Sequence, residues 1–347
     1  MPRYCIGLDV GSNSVKAVQL KETGKGFHLM SFGLEPLPAQ TIVDGSIMNQ
    51  AAVVDAIRTL KNLLRFKGRE VATAVSGHSV IVKKIKMPEM TRDELEQHIP
   101  WEAEHHIPFP KDDVEIDHQV LGKNGDQMEV VLVAAKKEVI SDYSLAIREA
   151  KLAPSVLDVT AFTMQNAFEV NYALEPNDIV ALINVGATMA TINILQKGQS
   201  AFTRDVAGGG NEITEEIQKR LNVSHEQAEA WKLGGTDEGE VLPQEVETVI
   251  AEVAEGMAGK LQRSLDFFLS TTADAKLARV YLSGGTAKVP ALQRALEQKS
   301  NTPVEILDPF RRIIIDEKRF DTAFLQQHAA EATVAVGLAL RHSGDKS

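Results

Sequence analysis

Ile6-Gly7-Leu8-Asp9-Val10-Gly11-Ser12-Asn13, followed by the alternating run 14–20, reads as an apolar strand, a tight glycine turn and a second strand. Leu182-Ile183-Asn184-Val185-Gly186-Ala187-Thr188, followed by 189–195, repeats that pattern half a chain later. In both hairpins Asp or Asn stands two residues before the glycine of the turn. Each hairpin leads to a third strand pattern, 27–33 and 200–206, and then to a helix, about 49–66 and 211–221. A second matching pair follows: the apolar run 71–75 ends in Ser76-Gly77, and Val280-Tyr281-Leu282 ends in Ser283-Gly284-Gly285-Thr286. One repeated motif is compatible with chance, but two in the same order indicate two related α/β domains facing each other.

Material present in only one copy separates the halves. The alternating stretch 80–86 and Met87-Pro88 precede a helix expected over about 91–106 and interrupted at Pro100. Strands near 114–121 and 128–135 are joined by an Asn124-Gly125 turn, and a helix over 138–150 closes the unit. The second half carries a different insertion, mostly helical over 211–269, with an acidic loop around 234–240. The expected organisation is a first domain, 1–177, with an inserted subdomain at about 79–150, and a second domain, 178–328, with a helical subdomain at about 207–270. A C-terminal helix within 329–347, spanning 329–341, places Gly337 where close packing is favoured.

With 347 residues and 44% hydrophobic content, the chain can bury two or three packed units and has no compositional sign of disorder. A net charge of −11 argues against a surface that attracts phosphate backbones, so nucleic acid is not an expected partner. Cys5 is the single cysteine and sits in an apolar run, which suits a small core residue in a reducing compartment. Residues 4–10 already read as a strand, which leaves no room for a signal peptide. No run approaches the roughly 20 apolar residues of a membrane helix. A cytoplasmic protein without direct membrane insertion is expected, peripheral to a membrane through a partner.

The turn Gly11-Ser12-Asn13 at the carboxyl end of a strand points several backbone N–H groups at one spot, which is how a phosphate nest is made. Ser12, Asn13 and Ser14 add side-chain donors, and Lys16 adds a point charge for a β- or γ-phosphate. Asp9 is placed to hold Mg²⁺ through water, since that ion keeps much of its hydration. Read alone, the stretch is better taken as an ordinary glycine hairpin in which Asp9 accepts a local hydrogen bond. The second turn, with Asn184, Gly186, Ala187 and Thr188, shifts the balance, because two facing turns can clamp a polyphosphate. Gly284, Gly285, Thr286 and Lys288 follow a strand and open a helix near Pro290, either to let backbone approach a ring or sugar or simply to pack. Gly208, Gly209 and Gly210 precede a helix whose Glu216 and Lys219 share a face and are either ligand contacts or solvated charges. There is no G-x-x-x-x-G-K-[ST] loop, no G-x-G-x-x-G spacing and no G-x-S-x-G elbow. Glu102, His105 and His106 lack an H-E-x-x-H pattern or cysteines and read as a polar helix face, so no structural metal is assigned.

The order of these elements resembles the actin, Hsp70 and sugar-kinase superfamily. The resemblance implies an α/β, actin-like (ribonuclease H-like), duplicated two-domain fold with a nucleotide cleft and a small inserted FtsA-like α/β subdomain. In that superfamily two phosphate loops, an adenosine loop and two connecting helices surround ATP. Residues 9–16 look like the first phosphate motif, 184–188 like the second and 282–290 like the adenosine motif. Residues 157–168 and 329–341 look like the connecting helices, and Gly208 to Gly210 with Glu216 and Lys219 match a region that contacts adenosine. ATP or ADP with Mg²⁺ is therefore the implied ligand.

The insert narrows the resemblance. Lys86-Met87-Pro88-Glu89-Met90, the stretch from Trp101-Glu102-Ala103-Glu104 to Ile107-Pro108-Phe109, and the run 130–138 resemble the PilM family, relatives of FtsA. This implies a scaffold protein of type IV pilus assembly on the cytoplasmic side of the inner membrane, in contact with other type IV pilus inner-membrane proteins. It also implies binding of the PilN N-terminal cytoplasmic peptide in a groove between the insert and the first core subdomain. Ile81, Ile107 and Phe109 are expected to line that groove or to form the insert's own small core. An FtsA-like polymerising membrane protein is the weaker reading, because the stretch 341–347 has no apolar face for lipid. A small-molecule kinase would need a buried aspartate in the first domain besides Asp9. Asn184 stands where much of the superfamily has aspartate, Ala187 replaces a common glycine, and no acidic or Gln base stands at the start of the first connecting helix, where Asp158 and Thr160 are the nearest polar residues. Binding with at most slow hydrolysis is expected.

Overall fold

The computed structural model describes residues 4–235, 242–273, 275–342 and 344. Strands β1 (Tyr4–Val10), β2 (Ser14–Thr23) and β3 (Gly26–Pro36) form an antiparallel meander. A two-residue ladder, β4 (Ile42–Val43) with β5 (Ser46–Ile47), leads to helix α1 (Gln50–Leu64) and then to β6 (Glu70–Val75). The insert holds β7 (Val80–Pro88), α2 (Arg92–His106), β8 (Val114–Asn124) and β9 (Gln127–Lys136), after which come α3 (Lys137–Glu149), β10 (Ala153–Val159) and α4 (Thr160–Asn171).

The second half opens with the meander β11 (Ile179–Val185), β12 (Met189–Gln196) and β13 (Gln199–Ala207). Helices α5 (Gly210–Leu221), α6 (His225–Lys232) and α7 (Gln244–Thr271) precede β14 (Leu277–Ser283), α8 (Pro290–Ser300) and β15 (Val304–Ile306). Helices α9 (Thr322–His328) and α10 (Thr333–Ala339) finish the chain.

The two five-stranded sheets have one topology. The first runs β3-β2-β1-β6-β10 and the second β13-β12-β11-β14-β15, each a meander extended by two parallel strands. Parallel strands need crossover connections, and the helices that supply them cover both faces. Val15 and Ala17 of β2 therefore pack toward α1 and α3, whereas Val18 and Leu20 pack toward α10. Helices α4 and α10 lie between the sheets, where Met164, Phe168, Val334 and Leu338 meet Cys5 and Ala72 from one side and Val180 and Leu182 from the other. Small residues permit this closeness: a Cβ on Gly337 would stand 1.8 Å from the Thr163 carbonyl oxygen. In the second half, Leu261, Leu265 and Phe268 of α7 are buried against the sheet, each contributing about 1.5–3 kcal/mol of hydrophobic free energy.

Three details differ from the sequence expectation. Helix α2 runs through Pro100 without interruption. Its start is fixed by a capping box, Thr91 accepting from the Glu94 N–H while Glu94 accepts from the Thr91 N–H. Pro100 is exposed, so the missing N–H falls on the solvent-facing side of the helix. Residues 157–159, expected in the first connecting helix, end strand β10, which pairs with β6. The helix expected over 329–341 is broken by a 3₁₀ turn at Ala330–Ala332. Of the acidic loop around 234–240, residues 236–240 lie outside the described residues. Cys5 is buried. Among the described residues no helix is long and apolar enough to cross a membrane.

Candidate functional site

The repeated hairpins meet at the mouth of a cleft between the two halves. In the first, the Gly11 N–H donates to the Ser14 carbonyl at 3.1 Å; in the second, the Gly186 N–H donates to the Met189 carbonyl at 2.9 Å. The same turn is thus built twice, and Ser12 Oγ lies 2.8 Å from Thr188 Oγ1 across the cleft. Asp9 and Lys16 are cross-strand partners, with Lys16 Nζ 3.4 Å from Asp9 Oδ2, and both side chains are largely buried. Asn184 holds the place of Asp9 in the second hairpin, and its Oδ1 accepts from Ser283 Oγ at 3.3 Å.

Glycine-rich segments pack the second turn from two sides. The N–H groups of Gly208, Gly210 and Asn211 donate to the carbonyls of Thr188, Gly186 and Ala187 at 2.9, 3.0 and 2.9 Å. On the other side Thr286 Oγ1 donates to the Gly186 carbonyl at 2.8 Å. Gly284 has φ of +87°, and a Cβ there would lie 2.4 Å from the Val185 carbonyl oxygen, so glycine is required twice over.

Asp9, Gly11, Ser12, Asn13, Ser14 and Lys16 line the cleft from the first half; Asn184, Gly186, Ala187, Thr188, Gly284, Gly285, Thr286 and Lys288 line it from the second. Gly208, Gly209 and Gly210 stand behind the lining as the backbone support just described. Glu216 and Lys219 are on the outer side of α5, whose buried face is Gly210, Ile213, Thr214 and Ile217. Glu216 pairs with Arg220 at 2.6 Å, and Lys219 is 79% exposed.

Three charged residues of the lining escaped the sequence reading. Glu229 and Lys232 of α6 have the same Glu-x-x-Lys spacing as Glu216 and Lys219 but face inward. Lys232 is buried, with Nζ donating to Glu229 Oε2 at 2.6 Å, Thr214 Oγ1 at 3.1 Å and the Gly210 carbonyl at 3.4 Å. Glu331 comes from the 3₁₀ turn and forms an ion pair with Lys288. Burial would push its carboxyl up, but Lys288, Lys16 and His328 outweigh that and hold it below the usual glutamate range. Tyr143 of α3 lies beneath Asp9 and donates to the Gly45 carbonyl at 3.0 Å; burial, reinforced by the Asp9 charge, pushes its hydroxyl far above the usual tyrosine value.

Two backbone turns facing each other over a half-buried cation can clamp an anion that carries more than one phosphate. Among the described residues no three His, Cys, Asp or Glu side chains are grouped as a metal cage. The donor set around Asp9 suits a hydrated Mg²⁺ that takes one carboxylate and its remaining ligands from water and phosphate.

The insert carries a second feature. Ile107 is buried in the insert's own core with Leu95, Ile99 and Leu132, and Phe109 packs against that core beneath Lys136. Ile81 instead faces a groove shared with β13 and α4. A separate groove runs between β8 and β9 of the insert and β10 and α4 of the core, lined by Val120, Val131, Val133, Leu157 and Phe162 with Asp158 and Arg341 at its floor.

The family described as type IV pilus assembly protein PilM has a model that matches residues 7–343. This chain belongs to the PilM family. Against the solved PilM-PilN type IV pilus biogenesis complex it is 29% identical, with a TM-score of 0.86 over 97% of this chain and 98% of that one. Its fold is actin-like, and MreB5 of Spiroplasma citri bound to ADP superposes with a TM-score of 0.51 and 13% identity over 96% of this chain and 94% of that one. The cell division protein FtsA of Bacillus subtilis (strain 168) is 23% identical over 257 residues, 65% of this chain. The match spans 57% of the length of FtsA.

Proposed function

We propose that this PilM-family chain is a nucleotide-loaded scaffold protein of type IV pilus assembly that captures the N-terminal cytoplasmic peptide of PilN. The observation that carries the nucleotide part is the pair of equivalent turns joined at Ser12 and Thr188, with the half-buried Lys16 and Asp9 beside them. Lys16 and the turn amides would receive the phosphates of ATP or ADP, and Asp9 would hold Mg²⁺ through water. Bound there, the ion would neutralise phosphate charge. Gly284 and Gly285 would let backbone approach the nucleoside, with Glu229 held toward it by Lys232. Asn184 supplies a hydrogen-bonding amide where a carboxylate would help orient an attacking water, so hydrolysis is slow and binding is retained.

The PilN part is supported by the family and by the groove between insert and core, where Val120, Val131, Val133, Leu157 and Phe162 alternate with polar residues such as Gln119, Gln165 and Asn166 around the Asp158 and Arg341 pair. An extended peptide gains affinity from apolar pockets and main-chain bonds in such a channel. Association with the inner membrane and with other pilus proteins would then follow from PilN.

Val120 is 41% exposed on the groove wall, so a charge there is compatible with folding. Val120→Glu is expected to weaken a synthetic PilN N-terminal peptide by about tenfold or more, with nucleotide affinity unchanged. Retention of peptide affinity in that variant would move the peptide site elsewhere.

A further inference from the structure

Asp205 lies in β13, and both of its carboxylate oxygens accept hydrogen bonds. Oδ2 accepts from the backbone N–H of Gly77 at 2.5 Å, and Oδ1 accepts from Thr191 Oγ1 at 2.7 Å. The register places Asn184, Thr191 and Asp205 directly opposite one another on β11, β12 and β13, so the three side chains form one row on one face of the sheet. That row begins in the cleft, where Asn184 and Thr191 are part of the lining. It ends at Gly77, which belongs to the first half and stands just before β7, the strand that opens the insert.

The fold's internal repeat does not account for Asp205. The equivalent row of the first sheet is Asp9, Lys16 and Leu34, and it ends on an apolar residue. The Gly77 end is tightly fitted as well. Gly77 has φ of +89°, and a Cβ there would lie 2.9 Å from Met189 Cε and 3.1 Å from the Asp44 carbonyl oxygen. Met189 is the first residue of β12 and takes the hydrogen bond that closes the second turn. The second hairpin therefore touches the root of the insert twice, through Met189 directly and through Thr191 by way of Asp205.

We infer that Asp205 is a positioning residue that couples occupancy of the cleft to the placement of the insert. The inference rests on the proposed nucleotide and peptide sites. Phosphates drawn between the two turns shift the second hairpin relative to the first half. The bonds that span the halves are those such a shift makes or breaks. A short bond from a backbone N–H to a carboxylate is directional and strong, so β7, one edge of the insert sheet, follows the hairpin. Coupling of this kind is reciprocal: nucleotide changes peptide affinity by the same factor by which peptide changes nucleotide affinity.

The test is a pair of titrations on the full chain, a synthetic PilN N-terminal peptide with and without saturating MgAMPPNP, and MgAMPPNP with and without saturating peptide. The wild type is expected to show one common factor of about fivefold or more in both directions. In Asp205→Asn, which keeps size but removes the charged acceptor, the factor falls to about one while the affinity for MgAMPPNP alone is unchanged. Amide exchange over 77–88 in the wild type should change on adding MgAMPPNP, a readout that needs no variant. Mutual independence of the two ligands in the wild type, or an undiminished factor in a folded Asp205→Asn, overturns the inference and leaves the two sites standing. Failure of the wild type to bind MgAMPPNP or the peptide overturns the proposed function itself, and this inference with it.

Discussion

Ser12 Oγ and Thr188 Oγ1 stand 2.8 Å apart although 176 residues separate them in the chain. The bond ties the tips of two equivalent turns, and it holds the cleft at a width set by two hydroxyls. Thr188→Val keeps the shape of the side chain and removes the bond. The expected result is a rise in the Kd for MgATP of about three- to tenfold, the worth of one ordinary hydrogen bond. Calorimetric titration checks it, and an unchanged Kd would mean the contact plays no part in closing the site.

Asn184 sets the expected rate of hydrolysis. Wild-type turnover should lie below about 0.01 s⁻¹, the range of phosphoryl-transfer sites that lack a full set of stabilising groups. Asn184→Asp should bind MgATP with similar affinity and turn it over faster. Phosphate release measured at steady state decides this, and vigorous wild-type activity would remove the significance of the asparagine.

Glu331 gives a pH signature. Its carboxyl is held below the usual range in the folded protein, so its contribution to stability is complete above the unfolded value of about 4.3 and is lost as pH falls through the folded value. Wild type is therefore expected to exceed Glu331→Gln in urea midpoint near neutral pH, with the gap closing as the solution is acidified below about pH 4. A gap independent of pH would show that the Lys288 ion pair is not its source.

Gly337 tests the packing between the sheets. A methyl group there would collide with the Thr163 backbone, which cannot yield as a flexible side chain can. Gly337→Ala should cost about 3 kcal/mol or more and lower the Tm by several degrees. A wild-type melting curve for that variant would contradict the close approach of α4 and α10.

The two hairpins were legible in the sequence because strand alternation and the Asp/Asn-x-Gly turn are local signals, and their repetition fixed the pairing of halves. The inner wall of the cleft was not. Glu-x-x-Lys occurs at both 216 and 229, and only the burial of Ile213, Thr214 and Ile217 reveals that the first pair faces outward while Glu229 and Lys232 face the cleft. Glu331 was hidden because it lies in an alanine-rich stretch that periodicity reads as continuous helix, whereas a 3₁₀ turn there rotates it into the site. The insert posed a similar difficulty. Ile81, Ile107 and Phe109 are all apolar, and tertiary packing alone sends the last two into the insert core and the first to a groove. Pro100 misled because a capped helix can absorb one missing N–H on its wet face.

The proposed function places an adenine nucleotide in the cleft, on Lys16 and the two turns. Its most direct test is a titration of MgATP into the purified full chain, freed of any carried nucleotide, with Lys16→Ala in parallel. Saturable binding at one site per chain in the wild type, weakened about tenfold or more in Lys16→Ala, is the predicted result. Absence of binding in the folded wild type, or equal affinity in the two proteins, would contradict it.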